Sequence, residues 1–377
     1  MTINPDVIII GGGLAGLTSA LHLSKQGFNV TLIEKHDFPR HKVCGEYVSN
    51  EILAYLHWLQ VDVESLYPTH IQELEFTTEG GQMNRVRLPL GGIGISRYAL
   101  DDLLYQQAKS NGCTIVIATV TGISFSADTF TVSFQDQVLR SKIVLGAYGK
   151  RSNIDQLLSR DFITKTSPWM AVKAHYSGDF PNDLIALHHF EGGYCGISKV
   201  EDERINLCYL ADVKTFKRYK NIGDYQKYVL SKNRHLKYFF EHNRLLFEKP
   251  LTISQFSFDK KSTVENHILM IGDTAGLIHP LCGNGIAMAI HSAKIASELV
   301  LEYYRGHIHS RKQLEKAYVK QWNRTFKRRL LFGRLLSRLL SYKIGTAVLM
   351  KTASFFPKML SWIIKQTHGN ARSIKWE

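Results

Sequence analysis

The pattern of apolar and polar positions divides the chain into stretches with different periods. Short, mainly apolar runs are typical of buried parallel strands, and they occur at 7–10, 29–33 and 267–271. Amphipathic helical stretches follow two of these runs, at 14–27 and 285–303. The succession of run, helix and run near the N-terminus predicts a βαβ unit, and therefore a Rossmann-like domain.

Two longer stretches, 71–90 and 169–212, have a different pattern. Apolar and polar residues alternate in them, and β-branched and aromatic side chains are frequent. This pattern predicts a mainly antiparallel β-sheet domain inserted between pieces of the Rossmann-like domain. Beyond residue 310 the period is helical to the end of the chain. The expected fold class is therefore α/β, with an inserted antiparallel sheet and a helical C-terminal tail.

The composition excludes several classes of protein. The 377 residues are 44% hydrophobic and 21% charged, which is ordinary for a globular protein. Because the apolar runs are short, we expect neither a signal peptide nor a membrane-spanning helix. The cysteines are scattered and form no CxxC motif, which argues against a zinc site, an iron–sulfur cluster or a disulfide framework. We therefore expect a cytoplasmic protein without a bound metal.

A glycine-rich loop joins the first strand to the first helix and has the sequence GGGLAG at 11–16. Gly11 permits a tight turn, Gly13 lets the backbone approach a pyrophosphate, and Gly16 allows close packing of helix and strand. The helix N-terminus adds free N–H groups and a positive dipole end. Glu34 ends the next strand, where its carboxylate can accept hydrogen bonds from a ribose. These features predict a dinucleotide site without distinguishing NAD from FAD.

A second glycine-rich segment, GDTAGLIHPLCGNG at 272–285, again joins an apolar run to a helix. Asp273 at the strand end can accept hydrogen bonds from ribityl hydroxyls, and Gly283 and Gly285 let the backbone approach an isoalloxazine ring. The following helix directs its positive end toward the flavin edge that carries negative charge after reduction. Two such loops fit one elongated FAD better than NAD.

The order of motifs resembles a known family. GGGLAG, Glu34, RHKVCGEYVS, Arg97, GAYGKRS and the second glycine segment follow one another as in FAD-dependent oxidoreductases of the para-hydroxybenzoate hydroxylase fold. KVCGE and PLCGNGIAMA are most similar to the geranylgeranyl reductase-related branch. The resemblance implies a discontinuous FAD-binding domain at 1–68, 96–160 and 262–305, a substrate domain at 69–95 and 161–261, and a basic helical region at 306–377.

The resemblance and the two loops together define the expected FAD-binding set. It comprises Gly11, Gly13, Leu14, Ala15, Gly16, Glu34, Lys35, Arg40, Cys44, Arg97, Gly272, Asp273, Gly283, Asn284, Gly285 and Ile286. The chain also departs from the family. Tyr148 stands where the family usually has aspartate in the middle motif, which puts one contact near the flavin in doubt. The stretch 193–198 lacks the tryptophan and proline of the flavin halogenase motif, which argues against halogenation.

The protein must position a substrate and supply a proton, because a flavin carries the redox chemistry itself. Cys44 and His279 are the candidate catalytic residues, and each can also be explained as a structural side chain. Glu46 is an equally good candidate for a structural ion pair or a catalytic acid. Only one member of the pair His188 and His189 can face a pocket, because side chains alternate across a strand.

The leading functional hypothesis is an FAD-dependent oxidoreductase that reduces C=C bonds of an apolar, lipid-like or polyketide-like substrate. The alternative is an FAD-dependent monooxygenase that inserts oxygen into such a substrate. The chain contains no second GxGxxG–acid unit, so electrons come either from transiently bound NAD(P)H or from a protein donor. An RNA-acting flavoprotein is disfavoured, because the basic residues are mixed with bulky aliphatic ones. The oligomeric state is left open.

The basic excess lies in the tail, which also has an amphipathic pattern. Residues 301–377 contain 17 Lys and Arg against 3 Asp and Glu, while the whole chain has a net charge of +14. One predicted helix face carries Arg324, Lys327, Arg334 and Arg338, and another side carries Phe332, Leu335, Leu336 and Leu339. Basic residues then recur at Lys351, Lys358, Lys365 and Arg372, and between them lie Phe355, Phe356, Met359, Leu360, Trp362, Ile363 and Ile364. The pattern predicts peripheral docking on an anionic membrane; the alternative is that the apolar faces pack on the substrate domain.

Overall fold

The computed structural model describes residues 4–340 and 357–369, apart from positions 220 and 255. The expectations for 341–356 and 370–377, including Lys351, Phe355, Phe356 and Arg372, lie outside the described residues, as do the side chains of Leu339 and Lys358. Within the described residues, no helix is long and apolar enough to cross a membrane.

A six-stranded sheet forms the centre of the first layer. Its strands are β1 (Val7–Ile10), β2 (Val30–Glu34), β6 (Thr114–Ile117), β10 (Ile143–Gly146), β17 (Val264–Glu265) and β18 (Ile268–Met270), and their spatial order is β17-β18-β10-β1-β2-β6. All neighbours are parallel except β17 and β18. The strand β1 is buried along its whole length, which explains its uninterrupted apolar sequence.

The larger sheet has nine strands and is mainly antiparallel. Its strands are β3 (Tyr47–Ser49), β4 (Thr69–Thr77), β5 (Met83–Gly94), β11 (Trp169–Ser177), β12 (Leu184–Phe190), β13 (Gly193–Lys199), β14 (Ile205–Asp212), β15 (Arg244–Leu245) and β16 (Leu251–Ser254). Only β4 and β12 pair in parallel. The strand β3 comes from the segment that the sequence assigned to the FAD-binding domain, so the two domains meet at this strand.

The remaining elements are a small sheet and the helices. The small sheet consists of β7 (Val120–Ser126), β8 (Thr129–Phe134) and β9 (Gln137–Ser141). The helices are α1 (Leu14–Lys25), α2 (Leu53–Trp58), α3 (Arg97–Ser110), α4 (Asn153–Leu157), α5 (Val213–Phe216), α6 (Ile222–Tyr228), α7 (Arg234–His242), α8 (Gly285–Tyr304), α9 (Arg311–Leu340) and α10 (Pro357–Thr367). The predicted α/β fold with an inserted, mainly antiparallel sheet and a helical C-terminal region is confirmed.

The C-terminal helices pack on both domains. One face of α9 buries Tyr318, Trp322 and Phe326 against the FAD-binding domain, and the Tyr318 hydroxyl donates to the carbonyl of Met270 over 2.5 Å. The helix α10 lies against β5 of the larger sheet and buries Ile364. The tail therefore contributes to the wall between the two domains.

Candidate active site

A cavity of about 820 Å³ lies between the carboxyl ends of the parallel strands, the larger sheet and the C-terminal helices. Its wall includes both glycine loops and one face of the larger sheet. Most of the expected site residues line it: Gly11, Gly13, Leu14, Ala15, Glu34, Lys35, Arg40, Cys44, Arg97, Gly272, Asp273, Gly283, Gly285 and Ile286. Residues separated by more than 200 positions in the sequence are thus assembled around one space.

The three glycines of the first loop have three different environments. Gly11 has a φ of +107°, and a Cβ there would come within 2.4 Å of the carbonyl oxygen of Ala147. A Cβ on Gly16 would lie 1.9 Å from the carbonyl oxygen of Gly11, so α1 packs directly on the loop. A Cβ on Gly13 would meet no atom within 4 Å, because this residue borders the cavity. The loop therefore presents bare backbone to the space where a pyrophosphate would bind.

Two helix N-termini point into the same cavity. The helix α1 begins after Gly13, and α8 begins at Gly285; neither is capped by a side chain. Gly283, just before α8, has a φ of +62°, which favours glycine. The free N–H groups and positive dipole ends of α1 and α8 suit the phosphates at one end of a dinucleotide and a negatively charged flavin edge at the other.

The Glu34 carboxylate lies at the end of β2, in the wall of the cavity. Its Oε2 accepts from the N–H of Gly12 over 2.6 Å, and its Oε1 accepts from the N–H of His36 over 3.1 Å. The Arg40 guanidinium also donates to Oε1, over 3.3 Å. These contacts fix the carboxylate beside the phosphate-facing loop, where a ribose would lie.

Arg97 and Lys42 converge on the buried carboxylate of Asp101. The Arg97 guanidinium donates two hydrogen bonds to it, over 2.7 and 2.8 Å, and the Lys42 ammonium donates one over 2.6 Å. Burial alone would raise the pKa of Asp101, but Arg97 and Lys42 hold it below its ordinary value. Since a guanidinium has five N–H donors, Arg97 keeps others for a ligand in the cavity. The sequence analysis missed Lys42 and Asp101, although the spacing of Arg97 and Asp101 on a helix was a usable signal.

The second glycine loop is held against the middle motif by side-chain contacts that the sequence analysis did not predict. The Thr274 hydroxyl accepts from the N–H of Gly149 over 2.8 Å. The Lys261 ammonium donates to the carbonyls of Lys150 and Asp273, over 2.8 and 2.9 Å. Burial lowers the pKa of Lys261 to about 8. The second glycine loop and the middle motif at 146–152 are therefore fixed to each other. This contact does not need the aspartate that the resembling family has at the position of Tyr148.

Cys44 lies at the boundary between the two domains and faces the cavity. The N–H of Glu46 donates to its Sγ over 3.4 Å, and the Asn206 amide from β14 donates to its carbonyl over 3.4 Å. The thiol is thus held by one contact from its own loop, and its backbone by one from the larger sheet. Cys44 therefore borders the cavity where its loop contacts the larger sheet.

Glu46 is the centre of a buried cluster with Lys173 and His175, which we call the Glu46 cluster. The carboxylate accepts from the Lys173 ammonium over 2.5 Å, from His175 Nε2 over 2.7 Å and from the N–H of Arg97 over 2.8 Å. Burial alone would raise the pKa of Glu46, but His175 and Lys173 hold it below its ordinary value. Because Lys173 and His175 lie on β11, this cluster fastens the larger sheet to the loop that carries Cys44.

Three expected site residues do not line the cavity. Gly16 acts through packing, as described above. Asn284 is buried and donates to the carbonyl of Thr367 in α10 over 2.7 Å, so it joins the second loop to the tail. The His279 ring packs among Trp169, Tyr194 and Phe258, and burial lowers its pKa to about 4. The structure places this imidazole in an aromatic cluster beside the cavity wall, and its catalytic role stays a prediction.

A large part of the cavity wall, which we call its apolar half, consists of apolar side chains. They come from the larger sheet, the second loop and the tail: Leu74, Val86, Leu88, Ile185, Leu187, Leu210, Ile253, Phe256, Leu281, Leu336, Leu360, Ile363 and Ile364. Neither of the adjacent histidines His188 and His189 lines this wall; His188 bonds the Thr77 hydroxyl over 2.9 Å. Within the described residues, no group of His, Cys, Asp or Glu side chains is placed to hold a metal ion.

The residues present fit FAD. Bare backbone at Gly13, two uncapped helix N-termini and the carboxylates of Glu34 and Asp273 all border the one cavity, as binding of an extended FAD requires. A family model described as FAD dependent oxidoreductase matches residues 6–45, which cover the first loop, Glu34 and Cys44.

Comparisons over most of the chain agree with this assignment. The chain is 25% identical to a digeranylgeranylglycerophospholipid reductase of Methanosarcina acetivorans, over 85% of this chain and 81% of that protein. It is 23% identical to a menaquinone reductase of Mycobacterium tuberculosis, over 78% of this chain and 76% of that protein. A flavoprotein/dehydrogenase structure from Cytophaga hutchinsonii superimposes with a TM-score of 0.77 at 18% identity, over 89% of this chain and 86% of that one. The predicted resemblance is confirmed.

Proposed function

We propose that this FAD-dependent oxidoreductase of the para-hydroxybenzoate hydroxylase fold reduces C=C bonds in an apolar, lipid-like substrate. The observation that carries the proposal is the apolar half of the cavity. Aliphatic side chains from the larger sheet, the second loop and the tail surround the space that continues from the FAD-binding residues. Such a wall favours a hydrocarbon chain, because burial of apolar surface is the main source of its binding energy.

The names of the relatives support reduction. The proteins from Methanosarcina acetivorans and Mycobacterium tuberculosis are named as reductases of a digeranylgeranylglycerophospholipid and of menaquinone. Both alignments extend through both domains of this chain. We extend reduction of an apolar substrate to this protein and leave the individual substrate open. NAD(P)H or a protein donor would supply the electrons.

The chain's own residues would divide the work as follows. Bound FAD would supply the two-electron chemistry. Arg97 would bind and orient the cofactor, and the apolar wall would exclude water from the substrate. Reduction of a C=C bond also requires a proton on the second carbon, and the Cys44 thiol, which lines the cavity at the domain boundary, would donate it. The N–H of Glu46 holds the Cys44 Sγ in that position.

Product analysis tests reduction directly. FAD-loaded protein is reduced with dithionite without oxygen and mixed with a digeranylgeranyl glycerophospholipid in detergent. Mass spectrometry should find a product that has gained two hydrogens per reduced bond, and Cys44→Ala should form it more slowly. A product that has gained an oxygen atom, formed only after air is admitted, would instead assign a monooxygenase.

The proposal also includes reversible contact between the basic C-terminal region and an anionic membrane. An apolar substrate resides in a bilayer, so an enzyme held at its surface meets a concentrated supply. Between Glu315 and Glu377 the chain contains no acidic residue, which favours binding to anionic headgroups.

A further inference from the structure

The outward face of α9 combines exposed leucines with a basic stripe. Leu331 is 46% exposed and Leu335 is 61% exposed. The basic side chains around them are Lys320, Arg324, Lys327, Arg328, Arg334 and Arg338. At about 3.6 residues per turn, all of these positions fall within roughly 120° of the helix circumference. Leu335 thus lies among the basic residues, whereas the sequence analysis placed it on another side of the helix.

The neighbouring helix α10 extends this surface. Trp362 is 54% exposed, and its ring meets the Phe332 ring of α9 at a centroid distance of 5.9 Å. The Arg328 guanidinium donates to the Gln366 amide oxygen over 2.7 Å, which joins the two helices a second time. We call Leu331, Leu335, Trp362 and the basic stripe the docking face.

The docking face is the outer side of the cavity wall. Leu336 lines the cavity, while its chain neighbour Leu335 is exposed. In α10, Ile363 lines the cavity, while its neighbour Trp362 is exposed. A single layer of two helices therefore separates the apolar half of the cavity from the exposed apolar surface. The sequence left a membrane-docking tail and a tail packed on the substrate domain as alternatives; α9 and α10 have one face that lines the cavity and another that is exposed.

We propose that the docking face binds an anionic phospholipid surface and that the apolar substrate enters the cavity from the bilayer between α9 and α10. Both parts rest on the proposed function: the docking face assigns the proposed membrane contact to particular residues, and the entry route depends on the apolar substrate as well. Charge complementarity selects the partner, because exposed aromatic and aliphatic side chains surrounded by cations are typical of interfacial helices. The substrate then passes through a wall that is only these helices thick.

Co-sedimentation with vesicles tests the docking face. Full-length, FAD-loaded protein is mixed with vesicles of phosphatidylglycerol and phosphatidylcholine, or of phosphatidylcholine alone. Binding should require phosphatidylglycerol and weaken with salt. The variant Leu331→Ser/Leu335→Ser/Trp362→Ser should bind at least about tenfold more weakly. The matched control Tyr67→Ser/Tyr238→Ser removes exposed aromatic residues elsewhere and should bind as the wild type does.

A second pair of variants tests how much the basic side chains of the docking face contribute to vesicle binding. Arg324→Gln/Lys327→Gln should weaken binding about 25-fold, since each cation near the surface contributes roughly fivefold. Lys109→Gln/Lys142→Gln removes the same charge from exposed positions on the FAD-binding domain and should have little effect. Equal binding of both charge variants, or of both apolar variants, would contradict a defined docking face.

A reversible cross-link tests the entry route. In Arg328→Cys/Gln366→Cys, a bismaleimide that contains a cleavable disulfide would join α9 to α10, and the same protein after reductive cleavage of the linker is the control. Cross-linking should leave FAD content and vesicle binding unchanged but slow, at least about tenfold, the perturbation of flavin absorption by a vesicle-borne digeranylgeranyl lipid. Equal rates in both forms would overturn the route. If neither form takes up the lipid, the proposed substrate class and the route are wrong, while vesicle docking is judged by its own result.

Discussion

The two halves of the cavity are built in different ways. The FAD half consists largely of backbone: bare glycines, uncapped helix N-termini and a few carboxylates held by neighbouring N–H groups. The substrate half consists of apolar side chains from the larger sheet, the second loop and the tail. Backbone in a fixed conformation recognises a constant ligand such as FAD, whereas side chains can be exchanged to suit another substrate without disturbing the fold.

The Glu46 cluster is where the two halves meet. Glu46 belongs to the loop that carries Cys44, while Lys173 and His175 belong to the larger sheet. This buried contact therefore holds the loop that carries Cys44 against the larger sheet. Each of the following experiments tests whether a substitution in one part of the molecule changes the property assigned to that part and leaves the others unchanged.

The largest effect is expected from breaking the Glu46 cluster. Glu46→Gln leaves the fully buried Lys173 ammonium without its counter-charge, so the free energy of unfolding should fall by about 3–5 kcal/mol. The double variant Glu46→Gln/Lys173→Met removes both charges and should recover part of this loss. Urea unfolding monitored by circular dichroism measures both. Equal losses in the single and double variants would show that the ion pair is not the source.

Substitutions in the first glycine loop should separate cofactor binding from stability. Gly13→Val directs its side chain into open space, so the apoprotein should keep its melting temperature while FAD affinity falls at least about a hundredfold, or ~2.7 kcal/mol. Gly16→Ala places a Cβ against the carbonyl of Gly11, so it should lower stability itself, by about 1–3 kcal/mol. Flavin absorbance and thermal unfolding of the apoproteins distinguish the two. Destabilisation by Gly13→Val would mean that this residue does not border open space.

Lys261 should make the free energy of unfolding depend on pH in the alkaline range. Its pKa is lowered by burial from 10.5 to about 8 in the folded protein. Between these values the unfolded chain binds more protons, so this residue makes stability rise as pH rises through that window. From pH 7 to pH 10, the free energy of unfolding of the wild type should rise relative to that of Lys261→Met by on the order of 2 kcal/mol. A difference independent of pH would contradict this assignment.

The smallest effect is expected in the substrate half. Leu336→Ala removes part of the cavity wall, so KM for an apolar substrate in detergent should rise about fivefold, or ~1 kcal/mol, with FAD content unchanged. Leu335→Ala, the adjacent exposed position, should leave KM in detergent unchanged. Steady-state kinetics on both variants provides the check. A rise in KM for both would place the substrate elsewhere.

The FAD half could be predicted from sequence because its chemistry is local. The six residues of GGGLAG carry three separate backbone requirements, and Gly11, Gly13 and Gly16 meet them as the spacing predicted. For the second loop, the prediction also required that two distant motifs bind one ligand. Both loops have backbone conformations that favour glycine, so the positions of the glycines in the sequence indicate the loops directly.

The rest depended on which side chains meet in space. Glu46 and Lys173 are 127 residues apart, and only the register of β11 brings them together. His279 lies within the second loop in sequence, but its ring lies in an aromatic cluster that includes Trp169 from β11. For the tail, periodicity predicted an amphipathic helix but not which apolar residues face the cavity, since that depends on the position of α10 against β5.

The most direct test of the account is a titration of FAD-loaded protein with two ligands, followed by flavin absorbance. One ligand is a digeranylgeranyl glycerophospholipid in detergent, and the other is a small polar aromatic acid. The account predicts a saturable perturbation of the flavin spectrum by the lipid, weakened by Leu336→Ala, and none by the acid. A saturable perturbation by the acid alone would contradict an apolar substrate half beside the flavin.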